Sequence, residues 1–170
     1  HYAFFAEERP VLLVTFEDAG AARDRPGHLP EHYALAKDRG WSMLTILAEG
    51  ETWWRDPAVF RYFDRLADGG FLEDFDRVIF YGAGAAGYAA AAYSITAPGA
   101  ELVLVAPRAT LDPALAGWDS RHRVARPAGD GVDDGGLAGP RGPVDEEEGA
   151  SAECVEVDRV RRGEGTQRPE

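Results

Sequence analysis

Apolar residues recur along this chain in short unbroken runs, separated by stretches with helical spacing. Val11-Leu-Leu-Val-Thr-Phe16 follows Pro10 and stops at Glu17-Asp18, and Trp41-Ser-Met-Leu-Thr-Ile-Leu-Ala48 stops at Glu49-Gly50. Val78-Ile-Phe-Tyr81 runs into glycine, and Glu101-Leu-Val-Leu-Val-Ala106 runs into Pro107-Arg108. Runs of this kind predict strands, and the one from Val11 to Phe16 a strand buried on both faces. Between them, Pro30 to Arg39 predicts a short helix stopped at Gly40, and Asp56-Pro57 a helix start with the aspartate as N-cap. Val59, Phe60, Tyr62, Phe63 and Leu66 follow at helical spacing until Gly69-Gly70, and a third helix spans the alanine run Tyr88 to Tyr93. The polar, proline-bearing stretch from Arg23 to Pro30 reads as a loop, and Pro98-Gly99 as a turn. Strands alternating with helices predict an α/β fold: a three-layer α/β/α sandwich around a mostly parallel sheet, Rossmann-like in topology.

Composition divides the 170 residues in two. Every aromatic residue lies at or before Trp118; from Arg121 onward there is none, and clusters such as Asp145-Glu-Glu-Glu148 dominate. That segment cannot bury enough surface to offset its ordering entropy. The expected organisation is an α/β domain over 1–120, present only in part, and a disordered tail over 121–170. The start, His1-Tyr-Ala-Phe-Phe5, shows neither an initiator Met nor a signal-peptide pattern, so the chain is expected to begin partway into a longer reading frame. A net charge of −12 argues against nucleic acid or an anionic membrane as partner, and no run reaches membrane-spanning length. The expectation is a cytoplasmic protein with a small-molecule ligand. The single cysteine, Cys154, excludes a disulfide framework. His28 and His32 have the spacing of two ligands on a helix, but Pro30 breaks that helix, so no metal site is expected.

Parallel strands gather their carboxyl ends on one edge, where open α/β sheets bind ligands. That edge would carry Glu17, Asp18, the segment Glu49 to Arg55, the turn Gly82 to Gly87 and the segment Pro107 to Thr110. Candidate ligand-binding residues are Gly82, Ala83, Gly84, Ala85, Gly87, Glu49, Trp53, Arg55 and Arg108. Trp53 and Trp54 beside Arg55 can grip a flat or anionic ligand, or can instead plug the core beneath the loop. Glu17 and Glu49 end two strands; as neighbours they could share a proton as acid and base, although loop hydrogen bonding accounts for them better.

Two chemistries fit the turn. Gly82-Ala-Gly-Ala-Ala-Gly87 matches G-x-G-x-x-G in the strand-to-helix context of a dinucleotide fingerprint, which would make FAD or NAD(P) the cofactor. The following strand ends Ala106-Pro107-Arg108, without the acidic residue that holds a ribose. The other is the nucleophile elbow G-x-S-x-G, with Gly84 standing where the serine belongs. A glycine offers no oxygen for a base to activate, which closes the acyl-enzyme route here and leaves no assignable catalytic residue. Ser42, Ser94, Ser120 and Ser151 all lie off the turn.

Residues 10 to about 118 resemble a bacterial, α/β-hydrolase-like family that goes by the name phosphoadenosine phosphosulfate reductase. The shared segments are Pro10-Val-Leu-Leu-Val-Thr-Phe-Glu17, Leu47-Ala-Glu-Gly50, Thr52-Trp-Trp-Arg-Asp56, Tyr62-Phe-Asp-Arg65, Phe80-Tyr-Gly-Ala-Gly84, Ala109-Thr-Leu-Asp-Pro113 and Trp118-Asp119. The resemblance implies an α/β-hydrolase-like fold and a degenerate, non-hydrolytic member that binds a small molecule or a glycan-related ligand. The reductase in that name needs a nucleophilic cysteine, and Cys154 lies among Glu and Gly with no basic cluster to lower its pKa. The resemblance stops near Arg121, which points to a frameshift or a truncated reading of the gene.

Overall fold

A computed structural model describes residues 1–8, 10–108 and 110, and the backbone of Asp158–Val160. Six strands form one sheet: β1 (Tyr2–Ala6), β2 (Val11–Asp18), β3 (Ser42–Ala48), β4 (Arg77–Ala83), β5 (Glu101–Val105) and β6 (Asp158–Val160). Their order across the sheet is β5-β4-β2-β3-β1-β6. β2, β3, β4 and β5 run parallel, with Leu13 opposite Met43 on one side and Ile79 on the other. β1 is antiparallel to β3, and β6 lies parallel to β1. The expected α/β architecture with a mostly parallel sheet is therefore present. Apart from β6, the tail from Arg121 and the position of Cys154 lie outside the described residues.

The helices are α1 (Ala19–Asp24), α2 (Tyr33–Arg39), α3 (Pro57–Asp68) and α4 (Ala85–Tyr93). Asp56 caps α3 as expected, its carboxylate accepting the Ala58 N–H at 2.7 Å, with Pro57 in the first turn. Gly40 ends α2 at φ 64°, a conformation that favours glycine. Two elements escaped the sequence reading. The stretch read as loop begins inside α1, which is capped by Asp18 and followed by a single 3-10 turn at Pro26–His28. Tyr2–Ala6 is a strand, although only five residues of mixed burial mark it.

Alternation along the strands divides the interior in two. Leu12, Val14, Phe16, Leu44, Ile46, Val78 and Phe80 face α3 and α4 and form the large core with Val59, Phe63, Ala89, Ala90 and Tyr93. Phe63 has no exposed surface, and its ring stacks on Tyr93 at 4.3 Å between centroids. Burying such a ring contributes roughly 1.5–3 kcal/mol. Val11, Leu13, Met43 and Ile79 face the other way and meet Ala36 of α2. On that side Thr15 and Thr45 are buried and share a hydrogen bond of 2.7 Å.

Candidate functional site

β2 leads to β3 on one side, while β4 lies on its other side, so the chain reverses its direction of winding at β2 and β4. The carboxyl ends of these two strands form the crevice in which open parallel sheets place ligands. Among the described residues, the crevice is lined from β4 by the predicted turn. Strand β4 ends at Ala83, α4 begins at Ala85, and Gly84 alone connects them with φ 55° and ψ −117°. Side-chain-bearing residues rarely adopt this conformation.

Each glycine of the turn answers a separate constraint. A β-carbon on Gly82 would lie 2.2 Å from the Ala86 carbonyl oxygen, so only glycine allows the helix to fold back this tightly. A β-carbon on Gly87 would meet Pro107 at 3.0 Å and the Gly82 carbonyl at 3.1 Å. At Gly84 the β-carbon direction is open, with nothing within 4 Å. The segment after β5 wraps this turn. The Gly84 N–H donates to the Val105 carbonyl at 3.0 Å, and the Gly84 carbonyl accepts from Tyr88 N–H at 3.3 Å and Arg108 N–H at 3.4 Å. That places Arg108 beside the turn, as the sequence suggested. Ala85 and Gly87 contribute first-turn amides of α4, which by helix geometry have no intrahelical acceptor. Ala83 is exposed at the end of the strand.

The loop after β3 supplies the remaining candidates. Trp53 and Trp54 are both buried instead of overhanging the edge, and Trp54 joins the large core. Trp53 meets Tyr88 edge-on at 5.8 Å. The Trp54 indole N–H donates to the Ile46 carbonyl at 2.8 Å, and its own carbonyl accepts the Tyr93 hydroxyl at 2.6 Å. Both tryptophans have φ 55°, two consecutive side-chain-bearing residues in the left-handed region. Arg55 follows, partly buried at the start of the approach to α3.

Glu49 stands apart from the turn chemistry. Its carboxylate takes the Arg23 guanidinium at 2.7 Å and the Tyr2 hydroxyl at 3.3 Å, and the Arg23 hydrogen bond holds it below the usual carboxylate range. Glu17 pairs with Arg25 and accepts the Glu31 N–H at 3.0 Å, while Arg25 lies 3.7 Å from Glu31. Each carboxylate thus has its own arginine, and a proton-sharing Glu17–Glu49 pair is not what the strands assemble. His28 donates from Nδ1 to the Arg23 carbonyl at 2.6 Å, and His32 lies against the Tyr81 ring at 4.6 Å. Among the described residues no three His, Cys, Asp or Glu side chains gather as metal ligands, and no helix is long and apolar enough to cross a membrane.

Sequence reading missed Tyr88 and Tyr93 as the partners of Trp53 and Trp54 behind the turn, treating them only as the ends of an alanine run. The available signal was composition: in Ala-Ala-Gly-Tyr-Ala-Ala-Ala-Ala-Tyr they are the only large side chains that α4 possesses. Comparison with protein families, with curated proteins and with solved structures finds no match to this chain.

Proposed function

We propose that this chain is a degenerate, α/β-hydrolase-like protein that binds a small molecule, or a glycan-related ligand, over the Gly82–Gly87 turn without serine-hydrolase chemistry. One observation carries the reading. Gly84 holds a tight strand-to-helix turn at φ 55°, its β-carbon direction open, at the position where an elbow lifts its nucleophile over the sheet edge. The geometry of presentation is there, and the reactive oxygen is missing. What remains is a bare backbone bend with the first-turn amides of α4 behind it and Arg108 beside it, a surface suited to holding a polar group and unable to attack one. The Gly84 N–H is already committed to Val105, which leaves this second glycine less to offer a pyrophosphate than the dinucleotide reading requires.

The test is a titration of the full chain, followed by the backbone amides of Gly84, Ala85 and Gly87 and by the Trp53 indole resonance. The probes are monosaccharides, short carboxylic acids, FAD and NAD(P). The reading expects saturable shifts at Ala85 and Gly87 with a saccharide or carboxylate probe, and no adduct with a fluorophosphonate. A flavin or nicotinamide that shifts those amides at micromolar concentration would replace it with the oxidoreductase reading. A fluorophosphonate adduct would restore hydrolase chemistry. Sulfite release that Cys154→Ser abolishes would hand the function to the reductase.

A further inference from the structure

We infer that Trp53 and Trp54 are positioning residues for the turn, setting where α4 stands and therefore where Gly84 and the amides after it point. The argument begins with the composition of α4. Seven of the nine residues of Ala85–Tyr93 are Ala or Gly, so the start of the helix is seated by close backbone packing at Gly82 and Gly87, and large side chains brace it at two positions alone. Its two large side chains, Tyr88 and Tyr93, both engage the same dipeptide. Trp53 meets Tyr88 edge-on at 5.8 Å, and the Trp54 carbonyl accepts the Tyr93 hydroxyl at 2.6 Å. The dipeptide in turn is tied to the sheet, because the Trp54 indole donates to the Ile46 carbonyl of β3 at 2.8 Å.

The backbone conformation of the pair has a reason under this arrangement. Two consecutive tryptophans at φ 55° are costly, and such conformations persist where the surroundings over-determine them. Here the left-handed pair lets one indole reach Tyr88 in the middle of α4 while the next carbonyl reaches Tyr93 at its last residue. A side chain at position i+4 leans back over the turn before it, so Tyr88 borders Gly84. The buried Trp53–Tyr88 contact is thereby a brace one helical turn beyond Gly84. This inference rests on the preceding reading only for its functional meaning; the geometric claim stands without any ligand.

Tyr93→Phe in the full chain tests it, because the ring stacking on Phe63 at 4.3 Å survives while the bond to the Trp54 carbonyl is lost. The readout is amide exchange at Gly84 and Tyr88, whose N–H groups are bonded to Val105 and to Gly84 and do not touch residue 93. Their exchange should accelerate about tenfold, the weight of one buried hydrogen bond. The Ala85 and Gly87 resonances should shift with it. Acceleration confined to Trp53, Trp54 and the end of α4 would reduce the contact to ordinary packing and overturn the inference. If Tyr93→Phe does not fold, Trp54→Phe removes the indole bond to Ile46 instead, and the same two amides decide. A ligand screen that fails while these amides respond would sink the binding proposal and leave this one intact.

Discussion

Strands β2, β3 and β4 send Leu12, Val14, Phe16, Leu44, Ile46 and Phe80 to the α3/α4 side of the sheet, and Val11, Leu13, Met43 and Ile79 to the α2 side. The first side carries a continuous stack of rings, Phe16 and Phe63 on Tyr93, with Trp54 and Phe80 at its margins. The second has the short helix α2, a buried threonine pair, and arginine–carboxylate pairs toward its carboxyl end. The difference separates two tasks. The ring-packed side holds the helix that forms the turn, and the polar side anchors the connection from β2 to β3.

The contrast is broken most directly at Phe63. Phe63→Ala removes a ring with no exposed surface from the centre of the stack and should cost about 3–5 kcal/mol in urea unfolding. Ile79→Val, on the α2 side, should cost only about 0.5–1.5 kcal/mol. Equal losses from removing one methyl and a whole ring would mean that the α2 side carries far more stabilisation per buried atom than the ring stack.

At the turn, Gly82→Ala must displace the Ala86 carbonyl and should destabilise by about 3 kcal/mol or more. Gly84→Ala meets no neighbour and should cost only the strain of its backbone, about 1–3 kcal/mol. Thermal unfolding of the two variants side by side would reveal a reversed order, which would mean that the turn is looser than described.

The threonine pair sharpens the polar side. Thr15→Val leaves the Thr45 hydroxyl buried without its partner and should cost about 1–3 kcal/mol, whereas the double change to valine should recover most of that loss. An additive double variant would show that the hydroxyls do not act as a pair.

The smallest effect is expected at the exposed Arg23–Glu49 pair. Arg23 lowers the folded-state pKa of Glu49, so the stabilisation is present above the unfolded carboxylate value of about 4.3 and is lost as pH falls through the lowered folded value. Urea unfolding between about pH 5 and pH 3 should therefore decline slightly less for Arg23→Gln than for the parent, and high salt should erase the difference because the pair is open to solvent.

Elements with strong local signals were legible in the sequence. Pro10, Gly40, Asp56-Pro57 and Gly69-Gly70 punctuate the chain where the structure does, and continuous apolar runs marked β2, β3 and β4 because a strand covered on both faces needs no polar alternation. β1 was not legible, since its place beside β3 depends on a partner about forty residues away. α1 was hidden because an Asp cap followed by Ala-Gly-Ala-Ala is a weak helix signal that tertiary contacts complete. At the site, glycine spacing located the turn, but the fate of Trp53 and Trp54 turned on tyrosines that only folding brings to them.

The empty space above Gly84 bears on the history open to this chain. Glycine and serine codons can differ by one nucleotide, and a Gly84→Ser change would meet strain but no collision. A lineage carrying this fold can therefore gain or shed a hydroxyl at its sheet edge in a single mutational step, whereas position 82 is closed to even a methyl group. Gain or loss of that hydroxyl is one base away, whereas activating it would need a neighbouring general base as well.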